Sequence, residues 1–178
     1  EAACGGHATY FIQTASEYYN ILAPAGRTLL HKLVELGHEV GLHYESERYS
    51  GAHGPGNLRA DIRLLEDLCG CAIESAAQHL PVDNEPLDVG HYVANEAYEP
   101  RFTETPMTYI SDSLMAWRQA TPHDLIDERV SFQFLTHPET WLGAFDNMAT
   151  ALAAIRDRES ALVVSRFDEL TDYYAELL

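Results

Sequence analysis

Four residues far apart in this chain carry side chains suited to acid–base or metal chemistry: His43, His79, Asp112 and His137. An imidazole exchanges a proton near neutral pH and binds transition metals through a neutral nitrogen, and a carboxylate can orient such a ring. Each of the four falls where an apolar run stops. The richest stretch is Gly37-His38-Glu39-Val40-Gly41-Leu42-His43-Tyr44-Glu45. It follows a run, residues 28–36, whose leucines and valine recur at helical spacing and which Gly37 can terminate. The residues after Gly37 read as a short strand that ends on His43, and strand tips are where α/β proteins tend to place chemistry.

The elements that would position these residues alternate along the chain. Residues 8–12 read as a strand, 27–36 as a helix and 39–43 as a strand. Residues 50–56 are Gly-rich and read as a loop. Asn57 is then a plausible N-cap for a helix over 58–68, with Ile62, Leu65 and Leu68 on one face. Residues 72–77 form a candidate buried strand, the pattern over 88–98 is unassigned, and 108–111 reads as a strand leading into Asp112. Val-x-Phe-x-Phe alternation marks a strand over 130–137 that ends on His137, and apolar spacing after Pro138 suits one or two helices. Strand–helix alternation with polar strand ends predicts a mostly parallel α/β architecture. It would bring His43, His79, Asp112 and His137 to the carboxyl ends of successive strands, facing one pocket.

Composition narrows the function classes. The 178 residues are 46% hydrophobic and 22% charged, which fits one soluble domain with a real core and argues against disorder. With 28 acidic and 11 basic residues the net charge is −17, and Lys32 is the one lysine. Such a surface repels phosphate backbones, so nucleic acid and anionic membranes are poor partners. Acid-rich, Lys-poor composition is a pattern of salt-adapted proteins, but ordinary variation in an acidic, Arg-preferring proteome is the preferred reading. No apolar run approaches the roughly 20 residues of a membrane span, and no signal-peptide pattern opens the chain. Cys4, Cys69 and Cys71 make an odd count, and Cys69-Gly70-Cys71 lacks the spacer of a redox or zinc-knuckle pair. Buried thiols in a reducing compartment are expected, with a cytoplasmic location as the default.

Three segments taken in order, Thr9-Tyr10-Phe11, Gly37 to His43, and Leu135-Thr136-His137, resemble the polysaccharide deacetylase family, metal-dependent hydrolases acting on N-acetylated sugars. The likeness covers roughly residues 8–141. It implies a distorted, often incomplete (β/α) barrel with its site at the C-terminal mouth, a divalent metal (zinc by preference) and a carbohydrate substrate. The family's opening strand, which carries an Asp pair, has no counterpart here. Either it precedes Glu1 or the catalytic carboxylates are absent, and 1–178 then forms a single deacetylase-like domain without that strand. The family's His-x-x-x-His metal pair becomes His43 and Glu47, and carboxylate oxygen is an acceptable zinc ligand.

The resemblance implies further roles. His79, in Gln78-His79-Leu80-Pro81, stands where the family shows an Arg-x-Pro motif; it can replace the lost metal histidine or contact the sugar. Asp112 and Trp117 fall where the family has an Asp and a Trp lining the pocket; Asp112 can tune a histidine or cap a helix, and Trp117 can give a sugar a flat apolar face. His137 matches the late histidine that protonates the leaving amine, with no carboxylate partner assignable from sequence. Tyr44, Tyr109 and Trp141 can line the pocket or pack in the core, and His38 is expected to hold the helix–strand corner. The motif variant is closer to relatives encoded with surface-polysaccharide biosynthesis genes than to chitin or peptidoglycan deacetylases. The alternative is a non-catalytic carbohydrate-binding or scaffold domain on the same fold.

Overall fold

A computed structural model describes residues 1–49, 51–81, 87–141 and 143–177, so Ser50, the first residue of the expected loop, lies outside the described residues. The chain divides into two compact units, Glu1–Thr103 and Glu104–Leu178. Both are mixed α/β, and among the described residues the strand pairings are parallel. Among the described residues no helix is long and apolar enough to cross a membrane.

In the first unit, β1 (Thr9–Ile12), β2 (Glu39–Tyr44), β3 (Ser75–Gln78) and β4 (Asn95–Glu96) form one sheet in the order of the chain. Helix α1 (Pro24–Glu35) connects β1 to β2, and α2 (Gly54–Cys69) connects β2 to β3. Helix α1 begins three residues earlier than its leucines predict, because Pro24 sits in its first turn, where a missing N–H costs nothing. Its end is the predicted one. Gly37 takes φ +81° and donates to Val34 O, while His38 donates to Leu33 O, the paired bonds of a Schellman cap. The imidazole of His38 then accepts the Ala8 N–H at 3.2 Å, so this residue does hold the helix–strand corner.

Helix α2 also starts early, at Gly54 inside the expected loop, and Asn57 is not its N-cap. The cause is packing that glycine alone permits: a Cβ on Gly54 would stand 1.6 Å from the Tyr49 carbonyl oxygen. The buried face of α2 carries Leu58, Ile62, Leu65 and Leu68 at helical spacing and covers Val40, Leu42 and Tyr44 of β2. At the opposite end of the sheet from its histidines, the Glu39 carboxylate accepts the hydroxyls of Thr9 and Ser75, both at 2.6 Å, and so ties the starts of β1, β2 and β3 together.

The second unit holds a two-stranded parallel sheet, β5 (Thr108–Ser111) beside β6 (Phe132–Leu135), with α4 (Pro122–Glu128) between them in sequence. A short helix, α3 (Pro100–Thr103), precedes it in the first unit, and α5 (Met148–Glu176) ends the chain. Strand β5 keeps its predicted limits; β6 is shorter than predicted at both ends. Helix α4 was not read from sequence, although Thr121 and Asp124 form a full capping box at its start. Of the three cysteines only Cys69 is buried, its thiol pushed up to about 11 by burial and by the neighbouring Cys71, while Cys4 and Cys71 are exposed.

Candidate functional site

The parallel register brings residues of the first unit together at the carboxyl ends of β2 and β3. Leu42, His43 and Tyr44 pair with Ala76, Ala77 and Gln78, and the His79 N–H extends the ladder by donating to Tyr44 O at 2.7 Å. His43 and His79 therefore lie one above the other across adjacent strands, their ring centroids 5.1 Å apart and edge to face. The Nδ1–H of His43 donates to Ala77 O at 2.9 Å, which in the neutral ring leaves the lone pair on Nε2. Nδ1 of His79 stands 3.5 Å from Glu45, whose carboxylate also takes a 3.4 Å contact from the Gln13 amide at the end of β1.

The carboxylate beside the histidine pair is thus Glu45 rather than Glu47. Residues two apart in an extended strand share a face, so the period of two counted from His43 leads to Glu45. Glu47 lies exposed on the 3-10 turn Ser46–Tyr49. That turn is pinned from the other side: Asp61 of α2 accepts Arg48 Nε at 3.0 Å and the Tyr49 hydroxyl at 2.6 Å. The next side chain along β2, Tyr44, points to the opposite face and is fully buried, its ring against Tyr49 and its hydroxyl 3.4 Å from Glu96. It is a core side chain, which is what alternation along a strand requires once His43 faces the other way.

Glu96 is a carboxylate that sequence reasoning did not single out. It is buried at the end of β4 and accepts the backbone N–H groups of Gln78 at 3.1 Å and Tyr98 at 2.7 Å. Burial is the main force lifting it above its ordinary value of 4.5, working against those donors. No local pattern marked it, because residues 88–98 show neither period.

The second unit builds a tighter pair. Asp112 follows β5, and its backbone N–H donates to Leu135 O at 3.2 Å, so the β5–β6 ladder continues one step past the strands. This sets the Asp112 carboxylate beside Thr136 and His137. Asp112 Oδ1 accepts His137 Nδ1–H at 2.5 Å, and Oδ2 accepts the His137 backbone N–H at 3.0 Å, the Thr136 hydroxyl at 2.9 Å and the Thr140 hydroxyl at 3.1 Å. Asp112 makes no side-chain cap to the turn that follows it, so its alternative role as a helix cap does not apply. Burial alone would raise the Asp112 pKa. The bonds from the His137 ring and backbone, joined by Thr136, outweigh burial and hold it below the ordinary 3.8.

A partly exposed histidine with Nδ1–H fixed on a buried carboxylate presents Nε2 as the atom that takes or gives a proton. Aromatic side chains are anchored nearby in sequence. The half-exposed Trp141 donates its indole N–H to Thr136 Oγ at 2.9 Å, one bond removed from Asp112. Trp117 packs on Phe134 with centroids 5.5 Å apart, and both remain exposed.

The donor types suit zinc, yet among the described residues no group of three or more His, Cys, Asp or Glu is arranged to hold an ion. His43 and His79 supply two imidazoles side by side; Glu47 does not complete such a group with them. No protein-family profile matches the chain, and no curated protein matches it.

Proposed function

We propose that this chain is a carbohydrate deacetylase-like hydrolase, cleaving the amide of an N-acetylated sugar, with the distorted (β/α) barrel and C-terminal mouth of that family as its architecture. The observation that carries the reading is the Asp112–His137 pair. With Nδ1–H committed to Asp112, the imidazolium form of His137 holds its transferable proton on Nε2. When water has added to the acetyl carbonyl, that proton goes to the amide nitrogen, the C–N bond breaks and the free amine leaves; the protonated acid left behind returns one proton to His137 Nε2 and loses the other to solvent, giving acetate. Asp112 stabilises the imidazolium until the proton leaves, and proton delivery of this kind contributes about a hundred- to ten-thousand-fold in rate.

A divalent metal, zinc by ligand type, belongs to the reading through His43, His79 and Glu47. Among the described residues these side chains as arranged do not make an ion-holding group. The test has two parts. Purified protein and its His43→Ala variant are measured for bound metal, and acetate release from N-acetylglucosamine oligomers is followed for the native protein, His137→Ala and Asp112→Asn. The reading expects acetate release from the native protein that is abolished in His137→Ala; the metal measurement shows whether His43 holds an ion at all. Acetate release that survives His137→Ala sinks it.

The exposed aromatics favour a second reading, a non-catalytic carbohydrate-binding domain. An indole whose N–H is already held by Thr136 keeps its ring face in place at little entropic cost, which suits stacking on a sugar. Sugar binding without turnover, and without metal, selects this reading.

A further inference from the structure

The short turn Pro138–Trp141 is closed on His137 itself, whose carbonyl accepts the Thr140 N–H at 3.0 Å and the Thr140 hydroxyl at 2.8 Å. At the end of that turn the indole N–H of Trp141 donates to Thr136 Oγ at 2.9 Å, and the Thr136 hydroxyl donates to Asp112 Oδ2 at 2.9 Å. A hydroxyl has one hydrogen and two lone pairs, and it turns to suit its partners. The partners therefore decide which of the two threonines serves Asp112. Thr140 reaches two acceptors, His137 O and, further off at 3.1 Å, Asp112 Oδ2, and they share its one hydrogen. Thr136 has a donor on its other side. Because an indole nitrogen can only donate, the Trp141 N–H takes a lone pair of Thr136 Oγ and directs the hydroxyl hydrogen to Asp112. Hydrogen bonds linked head to tail in this way polarise one another, which strengthens the bond at the charged end. Oδ2 is thereby held by Thr136 while Oδ1 keeps the His137 ring.

We propose that Trp141 is a positioning residue: its indole N–H, acting through Thr136, fixes the Asp112 carboxylate and with it the His137 imidazole. The inference deepens the proposed activity, in which Nε2 of His137 must be held against the leaving nitrogen. Only the kinetic half of its test rests on that activity.

Two measurements on the full chain decide it. The first is spectroscopic. Asp112→Asn leaves Trp141 and Thr136 in place but removes the charge at the far end of the chain of bonds, which makes Thr136 Oγ a poorer acceptor. The Trp141 indole proton, assigned by its loss in Trp141→Phe, is expected to move upfield in Asp112→Asn. The His137 Nδ1–H is expected to exchange with water about 3- to 10-fold faster in Trp141→Phe and in Thr136→Val, the loss of one neutral hydrogen bond. Thr136→Ser keeps the hydroxyl and is expected to restore the native rate. The second measurement is the kinetics of acetate release from N-acetylglucosamine oligomers. Trp141→Phe keeps an aromatic face and loses only the N–H, so kcat is expected to fall about 3- to 10-fold with KM unchanged. Trp141→Phe/Thr136→Val is expected to be no slower than Thr136→Val alone, because both remove the same chain of bonds. An unmoved Trp141 signal in Asp112→Asn overturns the proposal, as does a native His137 exchange rate in Trp141→Phe. A raised KM at native kcat also overturns it, since that is a ring that only binds sugar, and so do additive losses in the double variant. A native protein that releases no acetate overturns the activity instead, and the two spectra then decide the positioning.

Discussion

Replacing Asp112 by Asn preserves the shape of the side chain and turns one acceptor oxygen into a donor. Four donors converge on the native carboxylate: the ring Nδ1–H and backbone N–H of His137, and the hydroxyls of Thr136 and Thr140. The Asn oxygen can serve the three that meet at Oδ2. Its NH2 then faces His137 Nδ1, which must give up its proton and accept, so that the ring proton moves to Nε2. One charge-assisted bond is lost and the others become neutral, for about 2–4 kcal/mol of stability, since bonds to a charged group contribute about 1.5–3 kcal/mol and neutral ones about 1. The pH dependence carries a definite sign. Asp112 is held below its ordinary 3.8, so its contribution is fully present above that value and is lost as the pH falls through the folded-state pKa. Denaturant unfolding of both proteins should show the full gap at pH 7 and a shrinking gap below about pH 4. Long-range 15N–1H correlation spectra read the tautomer of His137 directly. A variant in which Nδ1 keeps its proton, or a gap that persists undiminished in acid, would refute the reasoning. On the proposed activity the same substitution lowers kcat by about a thousand- to ten-thousand-fold, because a ring that accepts at Nδ1 and lacks the carboxylate no longer forms the imidazolium that gives up the Nε2 proton.

Glu96 should behave with the opposite sign. Its pKa is raised above the ordinary 4.5, chiefly by burial, so stability is full below the unfolded value and falls as the pH rises through the folded one. Glu96→Gln should flatten that decline in unfolding curves taken between pH 4 and 7, and an unchanged slope counts against it. Two glycines of α2 should respond in opposite directions. Gly54→Ala places a methyl 1.6 Å from Tyr49 O and should cost about 1–3 kcal/mol or more. Gly56→Ala meets nothing within 4 Å and should stabilise by about 0.4–1 kcal/mol. Equal melting temperatures for the two variants would show that Gly54 does not pack as described. Gly41→Ala belongs with the first: its methyl would stand 2.7 Å from the Phe11 ring and 2.8 Å from Ser75 O, so the variant should melt well below the wild type.

Much of the framework was legible because it is local. The apolar periods of α1 and α2, the glycine stop at Gly37 and the strands around Ile12, Leu42 and Ile110 all follow from near neighbours in sequence. Helix starts were misplaced by the same limitation. Gly54 looks like a loop residue until Tyr49 is packed against it, and Pro24 extends α1 beyond its apolar stripe. Helix α4 was missed although its Thr121–Asp124 capping box is written in sequence, because seven residues carry too little apolar periodicity to register.

For the candidate site, residue types and chain order determined which side chains could do chemistry: His43, His79, Asp112 and His137 at the ends of strands. The reading of Tyr44 as a pocket residue is overturned by strand alternation, which turns it away from His43 into the core. Partnership was decided only by tertiary structure. Asp112 meets His137 because the β5–β6 register runs one bond past the strands, and His43 meets His79 because β2 and β3 are in register at Ala77. Glu96 gains its buried contacts with Gln78 of the adjacent β3 and with Tyr44 of β2, one strand further on, from residues eighteen or more apart in sequence. Local sequence records a side chain's chemistry and the face it takes, whereas hydrogen-bond partners depend on the register between strands, which is a property of the folded sheet.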